Sequence, residues 1–222
     1  MNEQYQYMHE WKAVTGGEQL GVVASSTWTK DPKRLLFSLS RYKFTAKMLE
    51  GKMNVIEAGC GDGWASKLVA RSVGSLTLSD YDEKFVSESR QINSKIENIK
   101  YVVHDFVAKP LLQKFDAFYC LDVLEHISAT DERAFIDHAI FSCTPDAVFV
   151  FGMPSLQSQS ILEPDSRDPG HINCKTKSGL KETMLSHFSI ALMFSMNDEV
   201  VHTGHDFMSH YILAVCAGPK NK

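Results

Sequence analysis

Three glycines at alternate positions, Gly59, Gly61 and Gly63, interrupt the stretch VIEAGCGDGWASKL, with Glu57 just ahead of them and Cys60 among them. Glycines between an apolar run and a helix permit positive φ and let a ligand approach the backbone closely. A tight strand-to-helix turn without a ligand is the plain alternative, but one glycine would serve it, and three point to a nucleotide-type ligand. A dinucleotide fingerprint, G-x-G-x-x-G, would put its third glycine where Trp64 stands. No Gly-Lys-Ser/Thr follows, so a phosphate-binding P-loop is excluded as well.

Acidic residues recur where later apolar runs end: Asp80 in LTLSD, Asp105 in YVVHD and Asp122 after FYCL. A carboxylate there can accept from paired hydroxyls or from an amino group. Histidine is the usual general base near neutral pH, and the chain has 9, among them His126 in DVLEHI and His171 in RDPGHIN. Asp165 and Asp168 lie near His171 and could build a metal site with it, although no metal is expected. His202, His205 and His210 cluster at mixed spacing near the C-terminus, which reads as a surface or oligomer role.

These residues need a scaffold, and the patterning supplies one. Asp31-Pro32 gives an N-cap and a first-turn proline, and Leu35, Leu39, Tyr42, Ala46 and Leu49 fall on one helical face that Gly51 can close. Strands follow at 53–58, 75–80, 99–105, 115–121 and 147–153, alternating with helices at 64–73, 82–96 and from Thr130 toward Cys143. A long polar loop leads to a helix over 178–187 and to two strands, 188–196 and 208–217, with no helix between them. The expected fold is therefore α/β: a doubly wound, seven-stranded, mostly parallel sheet whose last strand is antiparallel. Ligands bind such sheets beyond the carboxyl ends of their strands, where the glycine loop and the acids stand. Residues 1–31 read as an irregular or partly helical N-terminal arm or lid anchored by Trp11 and Trp28, with the main domain over 32–222.

At 222 residues and 44% hydrophobic, the chain has the size of one domain with a real core. A net charge of −4 gives no general attraction to nucleic acid or an anionic membrane, and no apolar run approaches the ~20 residues of a spanning helix. The 5 cysteines, scattered and without a CxxC pair, argue against a disulfide framework and a structural zinc. A cytoplasmic protein is expected, and a homodimer stays open.

NVIEAGCGDGWASKLV resembles the first motif of the class I S-adenosylmethionine-dependent methyltransferases. LTLSDYDEKFV resembles their second motif, YVVHDF the third and FDAFYCLDVLEHI the fourth, so the likeness runs in order over roughly residues 32–217. It implies the Rossmann-like methyltransferase fold, S-adenosylmethionine as methyl donor and S-adenosylhomocysteine as product. It also implies a cofactor site made of Glu57, Gly59, Cys60, Gly61, Gly63, Asp80, Tyr81, Asp105, Phe106 and Leu121. Within it Glu57 would accept from the cofactor's amino group, often through water, and Asp80 would take the ribose hydroxyls. Tyr81 would cover the adenine and Asp105 would accept from its amino group, with Phe106 beside the ring. Asp82 rivals Asp80 but reads more simply as the cap of the next helix, and Asp105 as a strand-end turn is the plain alternative.

The helix segment SRYKFTA is similar to one ahead of the glycine loop in methyltransferases of sugar and cell-surface glycan pathways. That likeness implies Arg41 on the cofactor carboxylate and Tyr42 closing over the cofactor, although Tyr42 also fits as plain core. Separately, RDPGHINCKTKSGL resembles the stretch before the substrate-side helix of related small-molecule methyltransferases, which implies acceptor contact for His171. Candidate catalytic groups are thus His171, His126 and Asp122, with a structural role open for His126 and helix capping open for Asp122. The expected reaction is methyl transfer to an oxygen or nitrogen of a small polar molecule, such as a sugar or biosynthetic intermediate. The rivals are a protein or nucleic-acid methyltransferase and a non-catalytic cofactor-binding scaffold. Leu121-Asp122-Val123-Leu124 in place of Asn/Asp-Pro-Pro-Tyr disfavours base or amide nitrogen as acceptor.

Overall fold

The computed structural model describes residues 3–220. The N-terminal arm is two helices, α1 (Gln6–Thr15) and α2 (Val22–Lys30), parted by Gly16 and Gly17 at φ +75° and +82°. Helix α3 (Lys33–Met48) follows; Asp31 accepts from the Lys33 amide, and Leu49 and Ala46 of its predicted face are buried while Gly51 turns the chain at φ +82°. Then come β1 (Asn54–Ala58), α4 (Lys67–Ala70), β2 (Ser75–Asp80), α5 (Glu83–Ile92), β3 (Ile99–Val103) and β4 (Phe115–Leu121). The rest is α6 (Glu132–Phe141), β5 (Cys143–Pro154), α7 (Leu156–Ile161), α8 (Lys177–His187), β6 (Phe188–Asn197), β7 (Val200–His202) and β8 (Tyr211–Pro219).

All strands join one sheet of 8, in the order β3-β2-β1-β4-β5-β8-β6-β7. Strands β1 to β5 pair in parallel, and β8 inserts antiparallel between β5 and β6. The seven expected strands are present; the eighth is β7, a 3-residue strand antiparallel to β6 in a link that the sequence suggests to be a plain hairpin. The chain winds outward through β2 and β3 on one side of β1 and through β4 and β5 on the other. The carboxyl ends of β1 and β4 therefore open a crevice between two diverging connections.

Period-two alternation divides the core. Ile56 and Ala58 of β1 with Phe118 and Cys120 of β4 face α6 and α8, which supply Phe135, Ile136, Leu180 and Met184. Val55 with Ala117, Tyr119 and Leu121 face α3 and α4, which supply Ala46, Val69 and Ala70. Burial of each large side chain contributes on the order of 1.5–3 kcal/mol. The same alternation puts Glu57 on the α3 side, beside Tyr119.

Several boundaries differ from expectation for identifiable reasons. The helix after the glycine loop begins only at Lys67, because 64–66 form turns in which Ser66 donates to Glu57. Helix α5 stops at Ile92, where the Asn93 amide group bonds the Gly63 and Ser89 carbonyls. Helix α6 starts at Glu132; Thr130 bonds Ser128 instead of capping it. Trp11 and Trp28 are 53% and 56% exposed and so do not anchor the arm; Gly21 and Ala24 are its buried residues among those described. No described helix is long and apolar enough to cross a membrane.

Candidate functional site

A cavity of about 790 Å³ lies beyond the carboxyl ends of β1, β2 and β4, within the usual range for small-molecule sites. The glycine loop forms its floor through Gly59, Cys60 and Gly61. Gly59 has φ +74°, and a Cβ there would lie 2.4 Å from Val123 Cγ2, so the backbone must be bare. Gly61 has φ +52° and faces open space apart from Val23. Gly63 serves a different purpose. Its Cβ would fall 2.2 Å from Ser89 Oγ, so it lets α5 pack against the loop and does not line the cavity.

Asp80 ends β2 at the cavity wall. Its two oxygens accept from the Gly61 and Asp82 amides at 3.1 and 3.0 Å, which fixes the carboxylate while leaving lone pairs for a ligand. Asp82 caps α5 by accepting from the Lys84 amide, as its position suggested. Tyr81 lines the cavity and is 79% exposed, free to lie against a flat ring. Asp105 also lines it, with one oxygen accepting from the Val107 amide, so it shapes the turn and still presents a carboxylate. Phe106 is buried beneath it against Phe118.

Glu57 lies outside the cavity lining. It is fully buried and accepts from Tyr42 Oη at 2.7 Å, Ser66 Oγ at 2.6 Å and Tyr119 Oη at 2.6 Å. Burial pushes its pKa up to about 7, against the pull of those three donors. Tyr42, which does line the cavity, stands between Glu57 and the ligand space. Burial, with the adjacent Glu57 charge, holds the Tyr42 and Tyr119 hydroxyls well above the usual tyrosine range, so both stay donors.

Arg41 also lies outside the lining. Its Nη1 donates to both Asp122 oxygens at 2.9 and 2.8 Å, and its guanidinium lies 3.8 Å from the Tyr211 ring centroid. Burial opposes the charge, but Asp122, with Tyr211 and Glu125 behind it, more than offsets this and the arginine pKa is raised. Asp122 itself follows Leu121 at the cavity edge with φ +58°, a left-handed backbone that non-glycine residues rarely adopt. Among the described residues only Asp198 shares this feature. Asp122 therefore caps no helix; it is tied to Arg41 across the wall.

His126 lines the cavity, its Nδ1 donating to the Gly170 carbonyl at 2.9 Å. His171 is absent from the lining but packs on His126 with ring centroids 5.0 Å apart. Its Nδ1 donates to Gln159 Oε1 at 2.9 Å, and burial lowers its pKa, partly offset by Asp168. Glu125, beside them, is fully buried with neither carboxylate oxygen hydrogen-bonded. Burial, and then Asp122, raises its pKa far above the usual carboxylate range. His202 and His210 bond Asn197 and the Asp198 carbonyl, away from the cavity.

The sequence named the arm as a lid but not the residues by which it meets the cavity. Val23, Ala24 and Thr27 of α2 line the cavity, and the Ala24 amide donates to Asp62 Oδ2 at 2.9 Å. Asp62 thereby caps α2 from within the glycine loop, a pairing across the sequence that no local pattern announces. A ligand with a ribose, an adenine and an amino-acid tail suits the acceptors present. Two carboxylates stand at the strand ends, and a bare backbone runs below a half-open, largely apolar space.

Residues 55–146 match the protein family described as "Methyltransferase domain". No curated protein matches the sequence. Similar solved structures include the N-methyltransferase NodS of Bradyrhizobium japonicum in complex with S-adenosyl-L-homocysteine. It is 17% identical, with 87% of this chain and 91% of that chain covered and a TM-score of 0.64. DhpI in complex with SAH is 14% identical over 89% of this chain and 92% of that chain, with a TM-score of 0.65. Phosphoethanolamine N-methyltransferase 1 of Haemonchus contortus is 13% identical over 97% of this chain and 49% of that one, with a TM-score of 0.64. At these identities the structures establish the shared fold. The domain match supports a methyltransferase.

Proposed function

We propose that this chain transfers a methyl group from S-adenosylmethionine to an oxygen or nitrogen of a small polar molecule, such as a sugar or biosynthetic intermediate. The observation that carries this reading is the cavity itself. Its floor is the bare Gly59–Gly61 turn, Asp80 and Asp105 stand at successive strand ends, and Asp122 and His126 lie on the wall after β4. In this reading Asp80 takes the ribose hydroxyls, Asp105 the adenine amino group, and Tyr81 and Phe106 pack on the base. Tyr42 relays Glu57 to the amino-acid end of the cofactor, in place of the contact, direct or through water, that the resemblance implied. Arg41 acts by holding Asp122 rather than by meeting the cofactor carboxylate.

The sulfonium supplies an already activated methyl carbon, so the protein's task is alignment and exclusion of water. Helix α2 serves the second need: in this reading 1–31 form a lid whose inner surface is Val23, Ala24 and Thr27. A hydroxyl acceptor must also lose a proton, and the groups near the β4 end are Asp122, His126 and, behind it, His171. A net charge of −4 supports a small acceptor over nucleic acid. The test is formation of S-adenosylhomocysteine from S-adenosylmethionine across a panel of sugars, amines and hydroxy acids. Turnover with a member of that panel is expected, and turnover only with protein or nucleic-acid acceptors would overturn the acceptor class.

A further inference from the structure

We propose that Glu125, His126 and His171 form a binding site for a divalent first-row transition-metal ion at the acceptor side of the cavity. One ligand atom from each residue lies within 4.8 Å of the others. Ligands of a four-coordinate ion at ~2.1 Å sit roughly 3.4 Å apart, so a modest closure completes the site. His171 lies between α7 and α8 and is carried by irregular chain that can make that adjustment.

Two further observations point to an ion. Glu125 is fully buried, yet neither of its carboxylate oxygens has a hydrogen-bond partner, a costly state that a cation resolves. Both imidazoles are also oriented as metal-ligating histidines usually are. His126 Nδ1 faces the Gly170 carbonyl oxygen and His171 Nδ1 faces Gln159 Oε1, each at 2.9 Å. Oxygens of that kind only accept, so each Nδ1 carries the hydrogen and each Nε2 is left with its lone pair. Asp168 Oδ2 lies 3.8 Å from His171 Nε2 and can supply a further oxygen.

The sequence pointed to Asp165 and Asp168 as acids near His171. The fold instead brings up Glu125 from the turn after β4. Two imidazoles and one carboxylate suit Zn²⁺, Mn²⁺, Fe²⁺ or Co²⁺ better than Mg²⁺ or Ca²⁺. Such a set leaves positions open, and His126 lines the cavity, so an acceptor hydroxyl or carboxylate oxygen can complete the coordination. Coordination would acidify a hydroxyl, releasing its proton to water and removing the need for a protein base. That role rests on the methyl-transfer reading; the binding of the ion does not.

The test uses the full chain, free of any histidine tag and stripped with chelator, titrated with Co²⁺ while visible absorbance and bound metal are followed. One equivalent is expected to bind, displaceable by Zn²⁺, with affinity lowered about 10–100-fold in His171→Ala and in Glu125→Gln. Thermal melts and S-adenosylhomocysteine binding of both variants establish that they are folded. No stoichiometric binding of Co²⁺, Zn²⁺ or Mn²⁺, or binding undiminished in folded His171→Ala, overturns the proposal. Co²⁺ binding without S-adenosylhomocysteine binding removes the methyl-transfer reading and leaves the site; the reverse result removes the site alone.

Discussion

Replacing Glu57 by glutamine isolates one buried ionisation and the pH dependence it imposes on the fold. The carboxyl is fully buried, and its pKa is pushed from 4.5 to about 7. Between those values the folded chain holds a proton that the unfolded chain has lost. The stabilisation is therefore fully present below the unfolded pKa and is lost as pH rises through about 7. At 1.36 kcal/mol per unit, the window corresponds to roughly 3 kcal/mol. The glutamine side chain cannot ionise, although its bonds to the Tyr42, Ser66 and Tyr119 hydroxyls are weaker than those of a carboxylate. The unfolding free energy of Glu57→Gln relative to wild type should thus rise by roughly 3 kcal/mol from about pH 4.5 to about pH 8. Urea unfolding followed by tryptophan fluorescence at several pH values measures it. Taking the difference between the two proteins cancels the other buried acid, Glu125. A difference that stays flat across the window would refute the reasoning.

Gly59→Ala forces a β-carbon onto Val123 at φ +74°, and the backbone conformation alone costs about 1–2 kcal/mol. A lowered melting temperature and weaker S-adenosylhomocysteine binding should appear together. Arg41→Ala strips Asp122 of its partner and should cost about 1.5–3 kcal/mol in chemical denaturation. Arg41→Lys should recover little of that, because an ammonium lacks the planar stack on Tyr211. Asp80→Asn should weaken S-adenosylhomocysteine about 10–100-fold in titration calorimetry and lower the melting temperature, because its amide NH2 would face one of the two backbone N–H groups that Asp80 accepts from.

The parallel part of the sheet was legible because each strand is a short apolar run ended by a chemically meaningful residue; β4 falls on Phe115–Leu121 as expected. What stayed hidden depends on distant partners. Alternation along β1 sends Glu57 toward Tyr119 and α3, and only the packed sheet reveals that Tyr42 stands between it and the cavity. Nothing local to Asp62 announces its role, which is to cap a helix 38 positions away. Gly63 looked like part of the ligand cradle, but its neighbour is Ser89 on α5. Strand β7 is too short to carry a period, and its pairing with β6 is set by the return of the chain to β8. Glu125 sits in the same DVLEHI stretch as His126, and nothing in the sequence distinguishes a buried, unpartnered carboxylate from an exposed one.

The central claim is that the cavity over the glycine loop holds S-adenosylmethionine. Calorimetric titration of the wild-type chain with S-adenosylhomocysteine tests it most directly. The account predicts one site per chain, sharply weakened by Asp80→Asn and by Gly59→Ala. A wild-type chain that is folded by thermal melt and gives no saturable binding would contradict it.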